Sequence, residues 1–309
     1  MEFFRFKRDI PFMSYGRYTT TISLVTFLLA VFFLATKGLN FGIDFTGGTV
    51  LEVHYSQPAD LVNIRTQLAS ADFPDALVQN FGTSRDVLIQ VALNPDIPGA
   101  KLSEQVLDSL RAQDPTVEMR RVEFVGPQVG KDLVEDGAMA LLLVSMGIVG
   151  YLWLRFEWKF GLAAIIANLH DVVIILGCFS FFQWEFSLSV LAAVLAVLGY
   201  SVNESVVVFD RIRENFRTMR KTEVTEVIDN AITRTMSRTI ITHGSTQMMV
   251  IAMLMLGGET LHFFAMALTI GIMFSIYSAV LVASPLLLLF GVSRDDFIKP
   301  EKTEDEVLP

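Results

Sequence analysis

The residues of this chain best suited to ion chemistry are polar side chains set inside long apolar runs. Asn203 and Glu204 interrupt the apolar run 195–209, and Asp171 interrupts the run 160–182. An ionised side chain at the centre of a membrane helix costs about 2.5–3.5 kcal/mol on insertion scales. Such residues usually mark a path for protons or other ions. Glu204, Asn203 and Asp171 are therefore candidates for coupling to an ion.

The next apolar run adds a cation and a row of hydroxyl groups. Arg238 begins this run, and Thr242, Ser245 and Thr246 follow it on the same helical face. Because Arg238 enters from the side on which Glu204 lies, the two charges are expected to reach a similar depth and to form a buried ion pair. A carboxylate that exchanges this cation for a proton would be a switch. The same side chains also suit a structural role, in which they fix the register of neighbouring helices.

The third apolar run carries a second polar face. Asn168 shares this face with Asp171 and is expected to line a polar path together with the hydroxyl groups. His170 is expected to point about 100° away from Asp171, because successive residues of a helix are rotated by that angle. This disfavours an intramembrane hydrolase that uses the two residues. The sequence has no HExxH motif and no GxxxxGK[ST] loop, so we expect no enzyme active site, no metal site and no cofactor.

Six apolar runs predict a mainly α-helical membrane protein. Of the 309 residues 52% are hydrophobic, and the mean hydropathy of +0.49 is too high for an ordinary soluble domain. A membrane helix needs about 20 apolar residues. The runs are 18–36, 137–154, 160–182, 186–209, 239–257 and 261–290. Pro285 predicts a tilt or kink in the last of them.

The distribution of Lys and Arg predicts that both termini are cytoplasmic. Four terminal or connecting segments contain 4, 2, 7 and 3 of these residues, namely 1–17, 155–159, 211–238 and 291–309. The short loops 183–185 and 258–260 contain none. Because positive charge stays on the cytoplasmic side, the long segment between the first two spans is external. No region is basic and aromatic enough to indicate nucleic-acid binding.

The external segment has the pattern of a small ferredoxin-like α+β domain. TVLEVHYS, ALVQNFG, DVLIQVAL and TVEMRRVEFVG alternate as strands do, whereas DLVNIRTQLASA and LSEQVLDSLRAQ have helical spacing. The resulting order is β-α-β-β-α-β. The single cysteine, Cys178, lies in an apolar run, so packing rather than a disulfide must hold this domain together.

A glycine-rich stretch, GLNFGIDFTGG at 38–48, joins the first span to the external domain. Its backbone freedom suits a turn at the membrane edge, a close-packed re-entrant segment or a hinge between membrane and domain. Gly42, Asp44, Gly47 and Gly48 are the candidate hinge residues.

These patterns divide the chain into four parts. The cytoplasmic N-terminus and first span occupy 1–37, and the external α+β domain with its glycine-rich hinge occupies 38–135. The other five spans occupy 136–292, and a disordered acidic tail is predicted for 293–309. The cytoplasmic segment 211–238 is amphipathic, which favours a membrane-surface helix or a helical hairpin, with docking to a partner as the alternative.

Four motifs in this order resemble the SecF family of bacterial protein-export membrane proteins. They are FGIDFTGGT at 41–49, LRFEWKFGLAAIIANLHDVVI at 154–174, LGYSVNESVVVFDRIREN at 198–215 and TMSRTIITHGSTQ at 235–247. The resemblance covers nearly the whole chain. It implies six spans that form half of an RND-superfamily transporter, with SecD supplying the other half.

The resemblance also implies a function in the Sec pathway. In that family the SecD–SecF heterodimer associates with the SecYEG channel in the bacterial inner membrane. The pair uses the proton gradient, or in some members the sodium gradient, to promote translocation and periplasmic release of unfolded preproteins. ATP-driven pushing belongs to SecA, which agrees with the absence of a phosphate-binding loop here. The implied partners are SecD, SecYEG with its accessory subunits, preproteins and membrane lipid.

The family's functional residues carry over to three positions. Its fourth-span carboxylate, in a GYSxND pattern, matches Glu204; its fifth-span arginine matches Arg238; and its third-span HD matches Asp171. Glutamate in place of aspartate keeps the acid but adds a methylene, which alters the geometry of pairing with Arg238. A further aspartate comes from SecD, so this chain is not expected to transport alone. The alternatives are an independent RND-type transporter of small solutes and a passive scaffold of the translocon.

Overall fold

The computed structural model describes residues 8–74, 76–92, 99–219 and 221–297. A 3-10 turn, Phe12–Tyr15, leads into the first long helix, α1, at Gly16–Thr36. A two-residue strand, β1 (Asn40–Phe41), and a one-turn helix, α2 (Ile43–Thr46), then connect α1 to the external domain.

The external domain has the predicted order of strands and helices. Its elements are β2 (Gly48–His54), α3 (Leu61–Ser70), β3 (Leu77–Phe81), β4 (Thr83–Val91), α4 (Gly99–Gln113) and β5 (Glu118–Val125). The strands lie in the order β3-β4-β2-β5, and all neighbours are antiparallel. Leu51 and Ile89 of the sheet share a buried core with Leu68 of α3 and Leu110 of α4. The ferredoxin-like prediction is confirmed in this topology, and the core accounts for a fold without a disulfide.

The remaining elements form the helical bundle. They are α5 (Pro127–Arg155), α6 (Trp158–Phe182), β6 (Glu185–Phe186), α7 (Leu188–Thr218), α8 (Val224–Leu256), α9 (Gly258–Ser278), a π-helical turn (Ala279–Ala283) and α10 (Ser284–Leu289). Together with α1 they provide six segments long and apolar enough to cross a membrane, as predicted. The π turn lies just before Pro285, and the Ser284 hydroxyl donates to the Ala279 carbonyl at 3.0 Å. The irregularity predicted for the last span is therefore a π bulge next to a proline.

Three of the six segments form the centre of the bundle. Of the most apolar 18 residues of each segment, 56%, 56% and 50% are buried in α6, α7 and the α9–α10 segment. The corresponding values for α1, α5 and α8 are 11%, 11% and 17%. Phe160, Phe209 and Ile212 pack with Ile228 where α6, α7 and α8 meet. The three outer helices leave most of their apolar surface to lipid or to a partner.

Two predicted boundaries change in the structure. Helix α5 begins at Pro127, so the external domain ends about ten residues before position 135. The early turns of α5 pack on α2, where a Cβ on Gly130 would lie 2.9 Å from the Phe45 carbonyl oxygen. The segment 211–238 agrees with the predicted helical hairpin, because α7 extends to Thr218 and α8 begins at Val224.

The second change concerns the tail, where the prediction of disorder from residue 293 is wrong for its first residues. Arg294–Phe297 form a 3-10 turn. Lys159 Nζ lies 2.7 Å from Asp296 Oδ2, and the Phe297 ring lies 5.6 Å from Phe160. An ion pair and an aromatic contact thus hold these residues against the bundle, whereas 298–309 lie outside the described residues.

Candidate ion-coupling site

Glu204 lies on the buried face of α7, where it contacts α8. Its side chain is almost fully buried, and both carboxylate oxygens are occupied: the Thr239 hydroxyl donates to Oε1 at 2.5 Å, and His243 Nε2 lies 2.9 Å from Oε2. Thr239 and His243 are one helical turn apart, so they present the same face of α8. One carboxylate therefore joins two adjacent membrane helices through two hydrogen bonds.

The predicted ion pair between Glu204 and Arg238 is absent from this structure. Arg238 is exposed, and within the described residues the partner of Glu204 is instead His243. The reason is the rotation of α8 about its own axis: the 239/243 face packs towards α7, and Arg238 lies one residue, or about 100°, away from it. The ion-coupling role of Arg238 stays a prediction, but its pairing partner in this conformation is not Glu204.

The other polar residues of this face also point away from Glu204. Thr242 and Ser245 are exposed, and their hydroxyls donate to backbone carbonyls of α8, at Arg238 and Thr242 respectively. The Thr246 hydroxyl also donates to the Thr242 carbonyl. Asn203 is exposed on α7. The predicted path-lining residues of α8 therefore form an open polar face beside the buried carboxylate and are not part of its contacts.

Asp171 forms a second buried carboxylate centre. The hydroxyls of Ser201 on α7 and Ser278 on α9 each donate to Oδ2 at 2.6 Å. His170 Nδ1 lies 3.2 Å from Oδ1, so the expectation that these neighbours point apart is wrong. Backbone rotation separates their Cα–Cβ bonds, but the imidazole is long enough to turn back towards the carboxylate. In a serine hydrolase triad the serine hydroxyl is hydrogen-bonded to the imidazole, which in turn contacts the carboxylate. Here both serine hydroxyls donate to Asp171 itself, so these residues do not have the arrangement of a triad.

Helix α7 connects the two centres. Asn168 Nδ2 of α6 donates to the Leu198 carbonyl of α7 at 3.0 Å and so joins the two helices; its part in lining a polar path stays a prediction. Ser201, which contacts Asp171, lies one turn before Glu204. The sequence prediction missed Thr239, His243, Ser201 and Ser278. The i, i+4 spacing of Thr239 and His243 was the available signal, since it marks a polar face distinct from that of Arg238.

The glycine-rich segment is packed against the outer end of the bundle. Strand β1 pairs with β6 in parallel, the Gly42 N–H donates to the Phe186 carbonyl at 3.0 Å, and the Leu188 N–H donates to Asp44 Oδ2 at 2.8 Å. Gly47 and Gly48 have φ of 71° and 151°. A Cβ on Gly48 would lie 2.8 Å from the Val91 carbonyl oxygen. The structure therefore matches a close-packed segment; motion about it stays a prediction.

A cleft of about 290 Å³ separates the open face of the external sheet from the outer end of the bundle, and Asp44, Gln90 and Glu185 line it. Gln90 Nε2 donates to Glu185 Oε2 at 3.0 Å across the cleft. Burial raises the pKa of Glu185; the hydrogen bond from Gln90 opposes this effect, and the Asp44 charge adds to it. Among the described residues no three His, Cys, Asp or Glu side chains are grouped as metal ligands.

Comparison with known proteins places this arrangement in a family. The family model described as protein export membrane protein SecD/SecF, C-terminal, matches residues 105–293, and the SecD/SecF GG motif matches 32–59. The chain is 45% identical over 296 residues to the protein translocase subunit SecF of Vibrio alginolyticus, covering 96% of this chain and 94% of that protein. The chain belongs to the SecF family of protein translocase subunits. SecF of Pseudomonas aeruginosa is 43% identical over 94% of this chain and 95% of its own.

Solved SecDF structures agree with this family assignment. The crystal structure of SecDF, a translocon-associated membrane protein from Thermus thermophilus, is 34% identical with a TM-score of 0.82; the match covers 92% of this chain and 39% of that chain. A SecDF structure in a super-membrane-facing form matches with a TM-score of 0.71. SecF-family membership implies partnership with SecD, and the matched region is well under half of SecDF.

Proposed function

We propose that this chain works with SecD to use the proton motive force in promoting preprotein translocation and release on the periplasmic side of the SecYEG channel. The observation that carries the proposal is the buried carboxylate of Glu204, which joins α7 to α8. Ionisable groups at such positions usually lie on ion or proton paths. The proposed location is the bacterial inner membrane with both termini cytoplasmic. The proposed activity is transport without an enzyme reaction and without a cofactor.

A change at Glu204 has a short mechanical route to the external domain. Glu204 and Leu188 lie on the same helix, sixteen residues apart, which is about 24 Å at 1.5 Å per residue. The Leu188 N–H group is hydrogen-bonded to the Asp44 carboxylate, and β2 begins four residues after Asp44, at Gly48. Protonation of Glu204 weakens its ionic contacts with α8, so α7 can shift and move the base of the domain. A moving domain would hinder a preprotein from sliding back.

The open polar face supports a partner at this surface. Arg238 is exposed on α8, one of the outer helices, and Asn203 is exposed beside it on α7. A cation facing hydrocarbon is unfavourable by several kcal/mol. A second subunit that covers this face would remove that penalty, and SecD is the partner that the family implies. This favours a SecD-dependent unit over an independent transporter of small solutes.

The test uses inverted inner-membrane vesicles that contain this chain with SecD. Completion of preprotein translocation is followed after SecA has been blocked, with the proton gradient on and off. We expect Glu204→Gln to abolish the gradient-dependent part and Glu204→Asp, which retains the acid, to keep some of it. A silent Glu204→Gln variant would support the passive scaffold instead, and transport by the chain without SecD would support the independent transporter.

A further inference from the structure

His243 holds one nitrogen against Glu204 and leaves the other without a partner. Nε2 lies 2.9 Å from Glu204 Oε2, and both side chains are at most 5% exposed. The Tyr200 ring meets the imidazole edge-on at 4.7 Å. Nδ1 is buried and has no hydrogen-bond partner among the described residues. The ring is thus fixed in place, and Nδ1 is its one nitrogen without a partner among the described residues.

The partners of the ring define its tautomer. A buried N–H group without an acceptor is unfavourable, so Nδ1 carries the lone pair and Nε2 carries the hydrogen. The Nε2–H group then donates to Oε2 of Glu204, while the Thr239 hydroxyl donates to Oε1. In this arrangement Glu204 is a carboxylate with two donors, and the imidazole is neutral.

We propose that His243 is the relay through which Glu204 gains and loses its proton; this inference rests on the proposed function. An incoming proton bonds to the Nδ1 lone pair. The Nε2–H bond breaks, and that proton forms the O–H bond on Oε2 of Glu204. The imidazole ends neutral with its hydrogen on Nδ1, and the new carboxyl group donates to Nε2. One proton enters, and the charge of the pair changes from −1 to 0. The reverse sequence releases it.

Among the residues that the structure describes, no other side chain bonded to Glu204 has this capacity. Thr239 offers only a hydroxyl, and on α7 the neighbouring Tyr200 contacts Thr246 and the imidazole edge. Arg238 on α8 is exposed and is not paired with Glu204. On α6 the nearest titratable pair is Asp171 with His170, reached through Ser201. Between residues 261 and 289 the only titratable side chains are His262 and Tyr277.

The length of the Glu204 side chain fits this assignment. A side chain shorter by one carbon–carbon bond, about 1.5 Å, would leave Nε2 of His243 beyond hydrogen-bond range. Glutamate is therefore long enough to reach the 239/243 face of α8.

The test uses proteoliposomes that contain the chain with SecD, in which proton flux is followed with a pH-sensitive dye across a range of pH. His243→Gln keeps a hydrogen-bond donor, but an amide side chain cannot accept a proton at one atom while it releases a proton from another, so this variant cannot relay protons. We expect its flux to fall about 100-fold, the usual contribution of a positioned acid–base group, and the dependence of its flux on pH to differ from that of the wild type. His262→Gln, at the outer end of α9, is the matched control and should behave as wild type.

Chemical rescue separates relay from packing. In His243→Ala, added imidazole should restore flux, whereas 1-methylimidazole, which fills the same space with one nitrogen blocked, should not. Wild-type flux and pH profile in His243→Gln would overturn the relay, as would equal rescue by both compounds. Flux of Na⁺ in place of H⁺ in the wild type would also overturn it. If instead Glu204→Gln retains gradient-driven translocation, the proposed function itself fails. Co-purification with SecD verifies that each variant is folded.

Discussion

Replacing Glu185 with glutamine is expected to remove a pH dependence from the contact between the external domain and the helix bundle. Glu185 follows α6 and receives a hydrogen bond from Gln90 of β4 at 3.0 Å. Burial raises the pKa of this carboxyl group, and Asp44 raises it further against the opposing hydrogen bond of Gln90. When the domain moves away from the bundle, Glu185 becomes solvated and its pKa returns towards the ordinary value.

The sign of the effect follows from linkage. A carboxyl group whose pKa is higher in the docked state binds protons more tightly there, so protonation favours docking. The contact is therefore strongest below the ordinary glutamate pKa and weakens as the pH rises through the raised value. Each unit of difference corresponds to about 1.4 kcal/mol, or about tenfold in the ratio of docked to undocked molecules. Acidification of the outer side should tighten the contact.

Distance measurements between spin labels test this expectation. After Cys178→Ala, labels at exposed Val62 of α3 and at Leu261 near the outer end of α9 report the position of the domain. The wild-type distribution should shift towards the undocked distance as the pH rises above the ordinary glutamate pKa, and Glu185→Gln should show one distribution throughout. Asp108→Asn, on the exposed surface of α4, is the control. A wild-type distribution that does not change with pH, or a pH response that persists in Glu185→Gln, would refute the reasoning.

Two further substitutions test the packing of the bundle and of its junction with the domain. Asp171→Ala removes the acceptor of the Ser201 and Ser278 hydroxyls. Because a buried hydroxyl left without a partner costs about 1–3 kcal/mol, the free energy of unfolding should fall by about 2 kcal/mol or more, measured by thermal unfolding in detergent. An unchanged midpoint would contradict the assigned contacts. Gly48→Ala places a Cβ 2.8 Å from a backbone oxygen at a φ of 151°, which should lower the free energy of unfolding by about 1–3 kcal/mol in the same assay. Gly147→Ala is the control and should have no such effect, because nothing lies within 4 Å of its added Cβ. Equal effects of the two variants would mean that the junction is packed less closely than described.

Much of the architecture follows from local patterns in the sequence. Six apolar runs of sufficient length predict six membrane segments, because backbone groups in lipid must be bonded within a helix. Alternation and helical spacing predict the β-α-β-β-α-β order of the external domain, and its strand order follows from the standard topology of that motif. Glu204 and Asp171 are recognisable from the sequence alone, because a carboxylate in an apolar run is unfavourable unless it has a function or a partner.

The partners of those carboxylates depend on the tertiary structure. Arg238, Thr239 and His243 lie within six consecutive residues. The rotation of α8 about its axis decides which of them contacts Glu204. That rotation depends on how α8 packs against α7 and α9, which no periodicity within α8 specifies, since it has polar residues on two faces.

The same reason applies to the contacts that are distant in sequence. Ser278 reaches Asp171 from 107 residues away, and Asn40 pairs with Glu185 in a two-residue parallel strand. Such short pairings carry no signal of their own, because two residues cannot show an alternation. Apolar runs and local spacing therefore determine where this protein has helices and strands and which charges are buried. Helix packing alone decides which group each buried charge contacts, because side chains one position apart on a helix differ in direction by about 100°.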